Sequence, residues 1–224
     1  MVRDQLSGGW QPGTEAGFGV IDAPNAPNWF ELHTREFDKS VQFYADAFIQ
    51  TRATQQLTQV LEPSTVITGP AEFVFDARAG KPIALTVDEK DAEAGYTEVF
   101  FSRTASWGDT GTGFIGFPPG AVLFVPSKTS APGAASFEVA GRLAKPDGSG
   151  GYVGSPYQYS VAWRHDGAVP DRLDRAFQRR DLVRVKSLVA SAGPGTTGFR
   201  DQMAGGPLPL EIAEYYTPGV DWYG

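Results

Sequence analysis

Two rhythms of apolar residues divide this chain. In NWFELHTREFDKSVQFYADAF, residues 28–48, the first rhythm has a period of two. Trp29, Glu31 and His33 fall on one face, Phe30 and Leu32 on the other, which predicts a strand over Trp29 to Thr34. The spacing then lengthens: Phe37, Val41, Tyr44 and Phe48 at i, i+4, i+7 and i+11 predict an amphipathic helix. Glu36 and Asp38 stand at its start, where negative charge suits the helix dipole. Residues 49–61, IQTRATQQLTQVL, are polar and weakly patterned, and a junction is expected there.

From about Glu62 the pattern is different. AEFVFDA, PIALTV, TEVFFS, GAVLFVP, ASFEVAG and YQYSVAW are of strand length and rich in Val, Phe and Tyr. TGP, RAGKP, WGDTGTG, FPPG, SAPG and KPDGSGG punctuate them as turns. Further on, Val183 and Val185 alternate with Arg184 and Lys186, so residues 181–189 are expected to form one more strand. Short strands at this spacing imply a sandwich or barrel. The expected fold is therefore mainly β: a β-sandwich-like module over residues 60–224, with an N-terminal strand–helix appendage within residues 1–50.

Composition agrees with a folded, turn-rich chain. Of 224 residues, 27 are Gly and 17 Pro, and hydrophobic residues make up 41%. A net charge of −7 repels a phosphate backbone, and the one dense basic stretch, Arg172 to Lys186, is interrupted by Asp174 and Asp181 as in a solvated face. Nucleic acid is not an expected partner. Cysteine is absent, which removes thiol catalysis, thiolate metal sites and disulfides from consideration. MVRDQLSGGWQPG has no apolar run, and no stretch of about 20 apolar residues occurs, so neither a signal peptide nor a membrane helix is predicted.

Candidate chemistry is sparse. Glu31 and His33 share a strand face with Trp29 and could line a cavity, but a metal usually takes three or more ligands and no further His is near. No metal site, cofactor or catalytic residue is expected. His165-Asp166 fits a polar turn, because Asp-Gly favours chain reversal. GDTGTG (Gly108–Gly113) and DGSGG (Asp147–Gly151) lack the ending of a phosphate loop and the acidic density of a calcium loop, and are expected to be turns. Tyr152, Tyr157, Tyr159, Trp163, Tyr215, Tyr216, Trp222 and Tyr223 either pack a sandwich or form a platform for carbohydrate or peptide. Tyr157, Tyr159, Trp163, Tyr215, Tyr216 and Trp222 are the candidates for binding.

Two resemblances sharpen these expectations. GFGVIDAPNAPNWFELHTREFDKSVQFYADAF is similar to the opening strand and helix of a vicinal-oxygen-chelate module, the family of glyoxalase and bleomycin-resistance proteins. The pair Phe43-Tyr44, with Glu36 seven positions before Phe43, carries the likeness over residues 10–48. That family implies a metal ligand in the first strand, where this chain has Trp29. VFDARAGKPIALTV, SPYQYSVAWRHDGAVP, RRDLVRVKSLVA and EYYTPGVDWYG resemble, in order, the C-terminal non-protease region of secreted subtilisin-like serine proteases of actinobacteria. This likeness covers about residues 60–224 and implies a β-rich accessory region without catalytic residues of its own. A subtilisin-type triad needs Ser, His and Asp in their own contexts, and neither His33 nor His165 has one.

The expected function is a non-catalytic accessory or binding module, serving a protease domain or an extracellular protein or carbohydrate. The alternative is a glyoxalase-like enzyme or ligand-sequestering protein completed by dimerisation. The change near residue 50 also admits a fusion of unrelated pieces. The first resemblance implies the cytoplasm and the second secretion, so the compartment stays open.

Overall fold

A computed structural model describes residues 41–51, 54, 56–68, 74–105, 108–191, 193–200 and 203–222. Trp29, Glu31, His33 and the strand expected around them lie outside the described residues. The first half contributes β1 (Val41–Thr51), β2 (Gln56–Ile67), β3 (Lys81–Pro82), β4 (Ala84–Val87), β5 (Glu93–Ala105), β6 (Gly108–Phe117) and β7 (Val122–Val125). The second contributes β8 (Ala135–Ala144), β9 (Tyr157–Asp166), β10 (Asp174–Phe177), β11 (Val183–Val189), β12 (Thr197–Arg200), β13 (Ala204–Pro207) and β14 (Leu210–Tyr216). Helix among the described residues is confined to two three-residue 3-10 turns, Ala77–Ala79 and Arg179–Asp181.

The expected mainly-β fold is present as two principal sheets. The first runs β1-β2-β7-β3, the second β11-β14-β9-β8-β5-β6, and the pairs β10-β4 and β12-β13 form small sheets beside them. Aromatic contacts tie the principal sheets face to face. Tyr44 of β1 stacks on Phe101 of β5 at 5.7 Å, Phe48 of β1 meets Phe114 of β6 edge-on at 5.4 Å, and Phe124 of β7 meets Phe137 of β8 at 5.5 Å. Such pairs contribute ~0.5–1.5 kcal/mol each beyond the area they bury. Leu61, Val99, Val139, Leu143 and Val161 fill the space between them.

At the other end of the core, Leu85 of β4 enters a notch made by Gly141 of β8. A Cβ on Gly141 would stand 2.2 Å from Leu85 Cδ1. The missing side chain is what lets the β4–β10 pair settle on the large sheet.

Three local expectations are corrected. Residues 41–48 are strand, not helix. A spacing of four, as between Tyr44 and Phe48, fits a period of two as well as one of 3.6, and a register shift between Phe43 and Ala45 hides the alternation. Pairing with β2 along its length decides the matter, and residues 49–51 and 56–61 of the polar stretch lie within the two paired strands. Gly108–Gly113 is the first half of β6, not a turn. Thr110 and Thr112 share the inward face with Phe114, while Phe100 lies over Gly113, where a Cβ would stand 2.7 Å from its ring. In AEFVFDA, residues 74–76 are irregular and run into the first 3-10 turn. Among the described residues no helix is long and apolar enough to cross a membrane.

Candidate functional site

An open cleft forms where three segments distant in sequence meet. It measures about 250 Å³ and is lined by Gly95 and Tyr96 of β5, by Gly150 to Val153, and by Phe199 and Met203. The connection between β8 and β9 shapes it. Asp147 holds this loop from within: its Oδ1 accepts from the Ser149 amide at 2.8 Å, the Ser149 hydroxyl at 2.7 Å and the Gly151 amide at 3.1 Å. Oδ2 accepts from the Val153 amide at 3.0 Å. Gly148 (φ 80°) and Gly150 (φ 92°) take left-handed conformations that a side chain would strain. These donors, the Ser149 hydroxyl and amide foremost, hold the Asp147 carboxyl down at about 2. DGSGG is thus a loop closed on its own aspartate, whose oxygens are already occupied by protein donors.

The loop positions two apolar groups. Tyr152 lies across Gly95, where a Cβ would stand 2.4 Å from its ring, and Val153 bridges to Gly205 of β13. The Gly154 amide donates to the Gly205 carbonyl at 2.6 Å, which fastens the loop to the β12–β13 hairpin. Phe199 lies across Gly205 in the same manner and remains 58% exposed, beside Val153 at 48%. Burial is the main cause raising the Tyr152 phenol, with the charges of Glu93 and Asp147 adding to it, so the hydroxyl stays protonated at neutral pH. The lining suits stacking and apolar contact.

The aromatics expected to bind do not converge. Tyr157, Tyr159 and Tyr215 are buried in the main core. They face inward because β9 and β14 pair in parallel with Tyr159 opposite Tyr215, and the two rings stack at 4.7 Å. The Arg179 guanidinium covers them, 5.1 Å from the Tyr215 ring, and its Nε donates to the Tyr159 hydroxyl at 2.8 Å. Arg179 also pairs with Glu89. The Tyr157 hydroxyl donates to Asp91 at 2.5 Å. Trp163 is half-buried between Phe137 and the Arg175 guanidinium, 4.5 Å from its ring. Tyr216 turns to the opposite face and packs on Trp222. These six therefore correct the idea of a shared platform: most of their ring faces are spent on packing.

His165 and Asp166 point to opposite faces of β9, as neighbours on a strand must. Asp166 instead accepts from the Gly133 amide at 2.9 Å. Among the described residues no three His, Cys, Asp or Glu side chains are grouped to hold a metal ion.

A second polar cluster lies between the sheets. Gln59 of β2 is buried, and its Nε2 donates to Asp46 Oδ1 of β1 at 3.1 Å and to Thr112 Oγ1 of β6 at 3.4 Å. Burial pushes the Asp46 carboxyl up to about 6; the Gln59 hydrogen bond acts the other way and only partly offsets it. Sequence reasoning missed both Asp46 and the cleft. Phe199 directly after Gly198, and the Gly/Ser run Gly148–Gly151 before Tyr152, were the available signals.

No family model matches the chain, and neither a curated protein nor a solved structure matches it.

Proposed function

We propose that this chain is a non-catalytic β-sandwich accessory module that binds a carbohydrate or peptide segment of an extracellular partner at the Tyr152–Phe199 cleft. The observation that supports it is pre-organisation. Tyr152 and Phe199 are each laid over a glycine, and the loop bearing Tyr152 is fixed by four donors to Asp147. Side chains held in place before a ligand arrives lose little conformational freedom on binding. An open cleft admits one ring of a longer polymer while its neighbours continue outside. The order of phrases shared with the accessory region of subtilisin-like proteases points the same way.

The test is binding of the full chain to a panel of soluble polysaccharides and unstructured peptides, by calorimetry. Tyr152→Ala and Phe199→Ala should each weaken binding about two- to tenfold, with the Phe199 variant unchanged in melting temperature. Binding that survives both substitutions would place the ligand elsewhere.

A further inference from the structure

The outer edge of the six-stranded sheet is unlike the other edges of this molecule. β3 is two residues long and contains Pro82, and the pairings of β1 and β6 with their neighbours both carry register shifts. Short strands, prolines and bulges are the devices that stop an edge from recruiting another chain. β11 has none of them. Its pairing with β14 runs unbroken from Val183↔Tyr216 to Val189↔Leu210, and among the described residues no strand pairs with its other side. A row of backbone amides and carbonyls there is open to pairing.

Both faces of this strand carry exposed apolar groups. Val183 (50% exposed) and Val185 (41%) share one face, and Leu188 (70%) lies on the other. Arg184 and Lys186 alternate with the valines. Lys186 reaches Glu211 at 2.9 Å, while Arg184 has no ionic partner among the described residues. Arg180 stands just before the strand, with Asp181 at 3.8 Å. With Arg180 and Lys186 each paired to a carboxylate, Arg184 gives this edge its excess positive charge in a chain of net charge −7.

We propose that β11 is a docking edge for an extended acidic segment of a partner protein, which adds to the sheet as a further strand. Residues opposite Val183 and Val185 would be apolar, and those opposite Arg184 and Lys186 acidic, because directly facing residues share a face and opposite charges there are favourable. A second copy of this chain fits less well. Antiparallel self-pairing centred on Val185 or Lys186 sets like charges against each other. The proposal is independent of the Tyr152–Phe199 cleft, which lies on other segments.

The experiment uses the full chain and a labelled seven-residue peptide alternating valine and glutamate, with controls of the same composition in block order and with lysine replacing glutamate. Fluorescence anisotropy should show saturable binding of the alternating glutamate peptide alone. Hydrogen exchange should slow within residues 183–189 when it binds. The double variant Arg184→Glu, Lys186→Glu, both on the surface, should weaken this binding about tenfold or more and accept the lysine peptide instead. Absence of binding, equal binding of the block-order peptide, or indifference to the double variant would overturn the proposal. So would sedimentation showing a dimer that the double variant dissociates, since the edge would then serve a second copy.

Discussion

Asp46 and Asp147 are both bound by several donors, yet their carboxyls are driven in opposite directions, to about 6 and about 2. Asp46 lies between two sheets, where its main donor is the neutral amide of Gln59. Asp147 lies at the surface, where water still solvates it and three of its four donors are backbone amides of one loop. The number of hydrogen bonds does not set the sign of the shift. Loss of solvent outweighs the donors at Asp46, Gln59 foremost among them, whereas at Asp147 there is little loss for the donors to overcome. One carboxylate is a strained passenger in the core; the other is the organiser of a loop.

The largest test of this contrast is Asp46→Asn. Because the folded-state value is raised above 3.8, the protonated form is favoured by folding. The stability this gives is full below about pH 4 and is lost as pH rises through about 6. The difference corresponds to roughly 3 kcal/mol as an upper bound, at about 1.36 kcal/mol per pH unit. Urea unfolding at pH 7 should find Asp46→Asn more stable by about 1–3 kcal/mol, with the gain gone at pH 4. A destabilised variant at pH 7 would show that the carboxylate is needed in its charged form.

Gln59→Leu breaks the same site from the other side. Removing the donor leaves Asp46 with burial less opposed, so its titration should move above 6, and stability at pH 7 should fall by about 1–3 kcal/mol. Most of that loss should return at pH 4, where the carboxyl is neutral. A loss independent of pH would mean that packing, not the hydrogen bond, is what Gln59 supplies.

At Asp147 the sign is reversed and the effect is local. A lowered value gives stability that is present above about 3.8 and is lost as pH falls through about 2. Asp147→Asn should leave the melting temperature nearly unchanged. It should speed hydrogen exchange at Gly151 and Val153 and weaken any ligand bound beside Tyr152. Unaltered exchange in the loop would remove Asp147 as its organiser.

Legibility in the sequence followed the distance over which each feature is built. ASFEVAG and YQYSVAW announced β8 and β9, because Phe137, Val139, Tyr159 and Val161 alternate with smaller or polar residues along continuous strands. Val183 to Lys186 alternated plainly enough to predict β11. β1 failed because Tyr44 and Phe48 satisfy two periods at once, and only its partner β2 distinguishes them. β6 failed because two of its outward positions, 111 and 113, are glycines, whose purpose appears only when Phe100 is seen lying on Gly113. The cleft draws on residues near 95, 151 and 199, so no local pattern contains it. Asp46 and Gln59 meet through the register of a hairpin that the helical reading had excluded.

The place of β14 has a consequence for how the chain is made. It pairs on one side with β9 in parallel and on the other with β11, so it is inserted between two strands synthesised before it. Until Tyr216 has left the ribosome, β9 has a bare edge and β11 has no sheet to join. The nascent chain must hold a half-built sheet open through the synthesis of β10 to β13, with Gln158 and Ser160 not yet enclosed. Long-range pairing of this kind folds slowly and passes through exposed edges. The strand made latest among those described is the one that closes the structure.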